Sequence, residues 1–265
     1  RGLTRLLAPL IPAYLRRRMT RGKEDPVRMG ERLGTPGLAR PAGYLVWLHA
    51  ASVGESLSIL TLIDRILAAR PDLTLLVTSG TVTSAQLLGK RLPERALHQF
   101  VPVDTPNAVS GFLDHWRPDA AVLVESELWP NLITMTRDRN IPMALINARM
   151  SASSERGWGW WSNAARTITG SFDLVLAQDD TAAARLQRLG ATSTKAVGNL
   201  KVDAAPPPAP DGLMGDLTRL LAGRAAWVAA STHSGEEHII ADTHQLLKKA
   251  IPGLLTGIVP RHPER

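Results

Sequence analysis

Two short stretches of the chain each place a carboxylate in a tight polar turn that contains Gly-Glu. In the first, an apolar run leads into H-A-A-S-V-G-E, residues 49–55. In the second, an apolar run leads into S-T-H-S-G-E-E, residues 231–237. An amphipathic helix pattern follows each turn. Because the first turn of a helix has free backbone N–H groups, such a turn can bind an anion beside the carboxylate. The two turns predict two α/β units that face one cleft.

Polar residues also follow nearly every other predicted strand. In doubly wound sheets, ligands bind beyond the carboxyl ends of the strands, so residues at these positions are candidates for a site. In the first part of the chain they are His49, Ser52, Glu55, Ser79, Gly80, Thr81, Glu125, Ser126, Glu127, Asn147, Arg149, Gln178, Gly198, Asn199 and Lys201. In the second part they are Ser231, Thr232, His233, Arg261 and His262.

Each candidate has a structural alternative. Glu55 and Glu236 could merely favour a helix dipole, a contribution of about 0.3–1 kcal/mol. Glu125 or Glu127 could form an ion pair with Arg149. Hydroxyl residues before a helix are commonly N-caps, and this applies to Ser52, Thr81 and Ser231. The joint placement of so many polar groups at one sheet edge favours a functional site over these alternatives.

The usual cofactor and metal signatures are absent from the sequence. No G-x-G-x-x-G follows a strand and no G-x-x-x-x-G-K-[ST] occurs, so neither a dinucleotide site nor a P-loop is predicted. The His residues lack metal-ligand spacing, and H-x-x-S-x-G-E is not a nucleophile elbow. The sequence predicts no cofactor and no metal.

The elements that must position these residues alternate between strand and helix patterns. This alternation predicts an α/β fold with a mostly parallel, doubly wound sheet covered on both faces. The clearest helix pattern spans residues 57–69. The predicted strands of the first unit span residues 44–48, 73–78, 98–101, 120–124, 143–146, 174–177 and 195–197. The second unit has strand patterns at 227–230 and 254–259, with a helix pattern at 236–250 between them.

A Pro-rich connector, residues 204–212, separates the two units. Its A-A-P-P-P-A-P run predicts a stiff, extended segment. The second unit, residues 213–265, has only two predicted strands. Since two strands cannot complete a doubly wound domain, we expect the sequence to stop within its second domain.

The net charge of +7 belongs to one end of the chain. Seven basic residues and no acidic residue lie within residues 1–23, so the remainder has 24 of each and is neutral. Because the excess of basic residues lies within residues 1–23, the net charge does not predict that the globular part of the chain binds nucleic acid. The chain has no cysteine, which excludes disulfides and thiolate metal sites.

Residues 1–23 form a basic arm that joins Leu and Ile to three consecutive arginines. Its apolar run is shorter than the ~20 residues that span a bilayer. The pattern suits the surface of a membrane with anionic lipids. The alternative is an amphipathic helix that packs on its own domain. We favour the membrane, because no acidic residue within the arm balances its charge.

Three tryptophans cluster in a helix-like region, and two interpretations remain open for them. They could pack in the core, or they could contact acyl chains at a membrane interface. They are Trp158, Trp160 and Trp161.

Seven motifs, in order, give the chain a resemblance to a known family. They are G-E-R-L-G (30–34), H-A-A-S-V-G-E (49–55), V-E-S-E-L-W-P-N (124–131), I-N-A-R-M-S (146–151), G-N-L-K-V-D (198–203), S-T-H-S-G-E-E (231–237) and V-P-R-H-P-E-R (259–265). The chain resembles the 3-deoxy-D-manno-octulosonic acid (Kdo) transferases of Gram-negative lipopolysaccharide synthesis. Val202 departs from the family pattern, which usually has an aromatic residue there.

The resemblance implies a GT-B-type fold of two Rossmann-like domains, the second truncated here. Residues 24–203 would bind the acceptor, a lipid A precursor (lipid IVA), and the unit from 213 would bind the donor CMP-Kdo. Kdo transfer would invert the anomeric centre without a metal or cofactor. The protein would lie at the cytoplasmic face of the inner membrane, with anionic lipids as partners and no nucleic acid.

The resemblance also assigns site residues. Glu55 would be the catalytic base, with Glu125 and Lys201 as transition-state stabilisers. We expect the helix dipole to lower the pKa of Glu55. The donor-binding residues would be Ser231, Thr232, His233, Glu236, Pro260 and Arg261. The acceptor-binding residues would be His49, Ser52, Gly54, Glu127, Asn147 and Arg149.

Two other functions remain open at this point. The chain could be a GT-B glycosyltransferase that uses another nucleotide sugar. It could also be an inactive fragment of such an enzyme that docks on membranes.

Overall fold

The computed structural model of the chain describes residues 2–202 and 212–262. The chain divides into two compact units, Arg1–Ala205 and Pro206–Arg265. Most of the predicted Pro-rich linker, residues 204–212, lies outside the described residues. The same holds for Asp203 and for the last three residues of the final motif.

The first unit is built on a seven-stranded sheet in which all neighbouring strands are parallel. The strand order is β3-β2-β1-β4-β5-β6-β7. The order reverses between β1 and β4, and ligands of such sheets bind beyond the carboxyl ends of the strands at this point. The strands are β1 (Tyr44–His49), β2 (Leu73–Ser79), β3 (Ala96–Phe100), β4 (Ala120–Val124), β5 (Met143–Ala148), β6 (Leu174–Ala177) and β7 (Thr194–Ala196).

Helices cover both faces of this sheet, as the alternating patterns predict. Side chains of β1 alternate between the two faces: Leu45 and Trp47 pack in one buried cluster, Val46 and Leu48 against the other. Burial of each large apolar side chain contributes about 1.5–3 kcal/mol. The helices are α1 (Gly2–Leu7), α2 (Ile11–Met19), α3 (Met29–Arg32), α4 (Val53–Ala69), α5 (Val82–Arg91), α6 (Pro106–Trp116), α7 (Pro130–Asp138), α8 (Ala152–Gly159), α9 (Ser162–Thr169) and α10 (Asp180–Leu189). Single 3₁₀ turns span Ala8–Leu10 and Leu200–Val202.

In the second unit, two parallel strands flank a long helix. The elements are α11 (Leu213–Leu221), β8 (Ala226–Thr232), α12 (Glu236–Ala250) and β9 (Leu255–Pro260). Among its described residues, only Thr232 and Leu254 are buried. The predicted strand-helix-strand order and the bounds of α12 agree with the structure.

Two element boundaries differ from the sequence prediction for identifiable reasons. Helix α4 begins at Val53, four residues before the predicted start, because Ser52 caps it. Strand β3 begins at Ala96, two residues early, because Ala96 and Leu97 pair in register with Leu75 and Leu76 of β2.

The basic arm, residues 1–23, forms helices α1 and α2 and packs on the first unit in part. Leu15 is 1% exposed, whereas Leu6 and Leu10 are 79% and 64% exposed. Arg18 pairs with Glu24, one residue beyond the arm, at 2.6 Å. Among the described helices, none combines the length and apolar character needed to cross a bilayer. The packing alternative is therefore correct for Leu15, and membrane binding by the arm stays a prediction.

The three tryptophans do not share one environment. Trp158, at the end of α8, packs against the core. Trp160 and Trp161 are 87% and 72% exposed, so core packing is wrong for these two. Contact with acyl chains or a membrane interface stays a prediction for them.

Candidate active site

The first polar turn is a capping box that fixes both carboxylate oxygens of Glu55. Ser52 is the N-cap of α4, and its Oγ accepts the Glu55 N–H at 3.3 Å. The Ser52 hydroxyl donates to Glu55 Oε1 at 2.7 Å, and the Ala51 N–H donates to Oε2 at 2.8 Å. This arrangement is a variant of the capping box of Ser and Glu three residues apart, since the Glu55 carboxylate accepts the N–H of the residue before the N-cap. The N-cap alternative for Ser52 is therefore correct, and the cap also orients the candidate base.

Burial raises the pKa of Glu55, which is 7% exposed. The hydrogen bonds from Ser52 and Ala51 act in the opposite direction, and the nearby Glu127 and Glu125 carboxylates add to the increase. The prediction that the helix dipole lowers this pKa is therefore wrong, because loss of hydration outweighs the favourable donors. A raised pKa makes Glu55 a stronger base.

Glu125 and Lys201, the two predicted stabilisers, form an ion pair. Lys201 Nζ lies 2.7 Å from Glu125 Oε1, and the Glu125 side chain is 16% exposed. Glu125 follows β4 with φ of 61° and donates its N–H to the carbonyl of Ile146. No hydrogen bond or ion pair joins Arg149 to Glu125 or Glu127 among the described residues, so that alternative is wrong. The Arg149 side chain is exposed.

Asn147 supports the turn that carries Lys201. It is 1% exposed and has φ of 50°. Its Oδ1 accepts the Leu200 N–H at 3.1 Å, and its carbonyl accepts from the Gln178 amide. Asn199 Oδ1 in turn accepts the Lys201 N–H at 3.0 Å. These contacts give Asn147 a positioning role, and acceptor binding by Asn147 stays a prediction.

His49 and Glu127 face each other at the carboxyl ends of β1 and β4. His49 is fully buried; its Nε2 lies 3.8 Å from Glu127 Oε2, and its Nδ1 lies 2.9 Å from Thr78 Oγ1. Trp129 donates its indole N–H to Glu127. Burial acts to raise the pKa of Glu127, but the nearby His49 ring and the hydrogen bond from Trp129 lower it overall. Glu127 therefore presents a charged carboxylate beside Glu55.

A cavity of about 490 Å³ lies at this sheet edge, and we term it the edge cavity. Of the predicted site residues, His49, Gly80, Thr81 and Glu127 line it, and so does Ala51, which binds Glu55. Its full lining is Thr4, Ile11, Tyr14, Arg18, Arg32, His49, Ala51, Gly80, Thr81, Val101, Pro102, Val103, Asp104, Thr105, Glu127 and Trp129. Apolar walls beside charged groups suit an amphiphilic ligand.

Asp104 holds the loop that carries Glu127. Its carboxylate accepts the Asn131 N–H at 3.1 Å and the Leu132 N–H at 2.8 Å, at the start of α7. Burial raises the pKa of Asp104, although these donors act to lower it. An acidic group at a helix N-terminus satisfies free N–H groups and complements the helix dipole.

The second polar turn resembles the first but is capped differently. Gly235, with φ of 93°, is the N-cap of α12, so the N-cap alternative for Ser231 is wrong. Ser231 lies in β8 with φ of 61°. The His233 N–H donates to Glu236 Oε2 at 2.7 Å, and the Thr232 hydroxyl donates to the neighbouring Glu237. The two Glu carboxylates therefore reach back over the turn.

Arg261 joins this second turn through the backbone. Its N–H donates to the carbonyl of Thr232 at 3.0 Å, and Pro260 is paired in register with Thr232. The structure thus brings together the predicted donor-binding residues Ser231, Thr232, His233, Glu236, Pro260 and Arg261 at one end of β8 and β9. Their role in donor binding stays a prediction.

Comparison with known proteins identifies the family. Residues 27–204 match the family described as 3-Deoxy-D-manno-octulosonic-acid transferase (kdotransferase). The chain belongs to the Kdo transferase family. It is 37% identical over 270 residues to the probable mitochondrial 3-deoxy-D-manno-octulosonic acid transferase of Arabidopsis thaliana, covering 99% of this chain and 60% of that protein. It is 33% identical over 271 residues to the corresponding transferase of Haemophilus influenzae, covering all of this chain and 63% of that protein.

This chain of the Kdo transferase family thus spans about three fifths of the length of these relatives. Among solved structures, it is similar to a putative UDP-N-acetylglucosamine 2-epimerase from Listeria monocytogenes, with a TM-score of 0.59 and 10% identity over 82% of this chain and 62% of that one. The Neisseria meningitidis UDP-GlcNAc 2-epimerase gives a TM-score of 0.56 and 14% identity over 81% and 64%. These similarities show the fold, and the predicted GT-B-type α/β class is confirmed.

The edge cavity of this Kdo transferase homologue includes residues that sequence reasoning missed. Asp104 follows β3 closely, so the strand-end rule could have found it. Trp129 lies within a family motif. The arm residues Ile11, Tyr14 and Arg18 carried no such signal, because their position depends on how α2 packs. Of the predicted acceptor residues, Gly54 and Ser52 are exposed and line no part of this cavity.

Proposed function

We propose that this protein transfers Kdo from CMP-Kdo to a lipid A precursor, lipid IVA, in lipopolysaccharide synthesis, with inversion of the anomeric centre. The observation that carries the proposal is the oriented, buried Glu55 carboxylate beside the Glu125–Lys201 pair, at the point where the strand order reverses. Family membership supports the sugar and the reaction class.

In the proposed mechanism, Glu55 acts as general base. A sugar hydroxyl is a poor nucleophile, so a carboxylate must take its proton during attack. The hydroxyl oxygen forms a bond to the anomeric carbon of Kdo, the bond from that carbon to the phosphate oxygen breaks, and CMP leaves with the electron pair. Each Glu55 oxygen has a second lone pair besides the one engaged by Ser52 or Ala51, which leaves room for the proton.

The transition state of glycosyl transfer resembles an oxocarbenium ion. The Glu125 carboxylate supplies negative charge for its stabilisation, while Lys201 keeps that carboxylate in place and offers a donor to an anion. In the second unit, Arg261 and the turn 231–237 are the proposed contacts for CMP. His49 and Glu127, which line the edge cavity, are the proposed contacts for acceptor hydroxyls.

The test uses the full-length protein with CMP-Kdo and a tetraacylated lipid A precursor. We expect Kdo transfer, and we expect a Glu55→Gln variant to lose it while remaining folded. Titration with CMP and with UDP distinguishes another nucleotide sugar: binding of UDP without CMP would contradict the proposed donor. A wild-type protein that binds vesicles but transfers no sugar would instead support the membrane-docking alternative.

The arm is proposed to bind the anionic cytoplasmic surface of the inner membrane. Leu6 and Leu10 are exposed beside arm arginines, an arrangement suited to the interface of an anionic bilayer. A Leu6→Ser/Leu10→Ser variant should bind phosphatidylglycerol vesicles more weakly and keep its melting temperature. Because Thr4 and Ile11 line the edge cavity, deletion of the arm would not separate the two roles. Unchanged vesicle binding by the double variant would contradict this proposal.

A further inference from the structure

A second depression, of about 310 Å³, lies on the arm and is lined almost entirely by cations. Its lining is Tyr14, Arg17, Arg18, Arg21 and Lys23, and we term it the basic pocket. It has four positive side chains and no acidic one. The last turn of α2 carries a partial negative charge that favours basic residues there. That dipole does not account for Arg21 and Lys23, which follow the end of the helix at Met19.

The basic pocket shares a wall with the edge cavity, because Tyr14 and Arg18 line both. Arg18 is held in this wall by Glu24, whose Oε1 lies 2.6 Å from Arg18 Nε. The same carboxylate contacts Arg32 Nε through Oε2 at 3.2 Å. Glu24 is buried, so its single charge is shared between two guanidinium groups. One positive charge of this cluster is therefore not compensated.

The two carboxylates that line the edge cavity are held by other groups. Asp104 accepts N–H groups at the start of α7, and Glu127 accepts the Trp129 indole N–H and lies 3.8 Å from His49 Nε2. Uncompensated positive charge therefore lies in the basic pocket and its shared wall, where guanidinium groups can bind a phosphate through paired N–H donors.

We propose that the basic pocket binds a phosphate group of the glycolipid acceptor whose reacting hydroxyl lies in the edge cavity. This inference rests on the proposed function. It gives the arm a second role, recognition of the substrate itself, which is distinct from attachment to bulk lipid. Tyr14 and Arg18 would contact the acceptor between its phosphate and its reacting sugar.

The test compares two double variants of the full-length protein that remove equal charge from the arm. Arg17→Gln/Arg21→Gln removes two walls of the basic pocket, whereas Arg5→Gln/Arg16→Gln removes two arginines that line neither depression. We expect the first variant to raise the acceptor KM about tenfold with little change in kcat, as loss of uniform binding does. The second should leave KM near wild type. Binding to phosphatidylglycerol vesicles should weaken equally in both.

An equal rise of KM in the two variants would overturn the proposal, since the arm would then act through general charge. An acceptor KM that does not change in Arg17→Gln/Arg21→Gln would also overturn the proposal. With a dephosphorylated acceptor, the difference between the variants should vanish; its persistence would show that a lipid headgroup, and not the acceptor, supplies the anion.

Failure of the proposed function is distinguishable from failure of this inference. If the wild-type protein transfers no Kdo, calorimetry with the phosphorylated glycolipid in neutral detergent micelles replaces the kinetic readout. Weaker binding by Arg17→Gln/Arg21→Gln than by Arg5→Gln/Arg16→Gln would still support the subsite, and equal binding would refute it.

Discussion

Replacement of Glu55 by Gln separates the chemistry of the first turn from its role in folding. Gln keeps the size of the side chain and serves equally well in a capping box. Its carbonyl oxygen can accept the Ala51 N–H, and its amide can donate to Ser52 Oγ. The helix start should therefore persist, while the group that takes the proton is lost.

The expected magnitudes follow from burial and from the role of a base. General bases contribute about 10²–10⁴-fold to rate, equivalent to about 2.7–5.4 kcal/mol of transition-state stabilisation. Stability should not fall. Burial raises the folded-state pKa of Glu55 above its ordinary value. At pH values above that ordinary pKa, the charged carboxylate therefore lowers the free energy of unfolding. This cost disappears as the pH falls. At neutral pH, Gln removes this cost.

The assay is kcat for Kdo transfer together with urea unfolding of the same samples. The exposed Glu94, replaced by Gln, is the matched control and should change neither. For the wild type, kcat/KM should fall with decreasing pH through a midpoint above 4.5, the ordinary value for Glu. Ser52→Ala removes a donor that lowers this pKa, so it should move the midpoint upward. Glu55→Gln with more than a tenth of wild-type kcat would refute the assignment of the base.

Three further predictions concern the surrounding structure. Lys201→Met should reduce kcat about 10²–10³-fold by removing an electrostatic partner at the site, whereas Lys195→Met, on an exposed strand position, should leave kcat unchanged in the same assay. Asp104→Ala should destabilise the protein by about 0.5–2 kcal/mol in urea unfolding and raise the acceptor KM, since it frees the start of α7; unchanged values for both would contradict its positioning role. Leu15→Ala should cost about 2–5 kcal/mol and Leu10→Ala less than about 0.5 kcal/mol, and equal values would show that the arm does not pack through Leu15.

The sheet could be predicted because its strands are buried on both faces and read as apolar runs. The exception, β3, contains the polar residues His98, which is half-buried, and Gln99, which is buried. Ser79 binds the His98 ring at 2.9 Å, and the Trp116 indole donates to Gln99 at 2.8 Å. The strand pattern at residues 98–101 includes both polar residues, but a local pattern cannot reveal their partners, which lie 19 and 17 residues away in the chain.

The site was predictable where chain topology alone determines position. Parallel strands bring their carboxyl ends to one edge, and this places His49 and Glu127 close together. The pKa shifts of site residues could not be predicted, because they depend on how far the fold excludes solvent from each group. The sign of the pKa shift at Glu55 is one example, because a helix-dipole argument contains no information about burial.

The arm shows a related limit of charge counting. Its seven basic residues are unbalanced only within residues 1–23, and the next residue in the chain is the buried Glu24. Glu24 binds both Arg18 and Arg32, so part of the arm's charge is a structural ion pair. Arg17 and Arg21 line the basic pocket with Arg18, and Arg5 and Arg16 are exposed.

Backbone strain gives an independent reason to place function at these strand ends. Six non-glycine residues with positive φ occur in the described structure. Three of them, Arg117, Asn140 and Ala222, lie at or just beyond helix ends, where left-handed residues are common. The other three occur at strand ends, where no such rule applies, and they are Glu125, Asn147 and Ser231.

Each strained residue costs about 1–3 kcal/mol and persists only where its surroundings require it. Glycine would relieve the strain at these positions, yet the sequence keeps side chains there. At Glu125 the retained group is the carboxylate paired with Lys201, and at Asn147 it is the amide that holds the Lys201 turn. Glu125→Gly should therefore abolish Kdo transfer. It should lower the free energy of unfolding by less than loss of the Glu125–Lys201 ion pair alone, because relief of the backbone strain offsets part of that loss. A glycine variant that is both strongly destabilised and active would show that the strain serves folding and not catalysis.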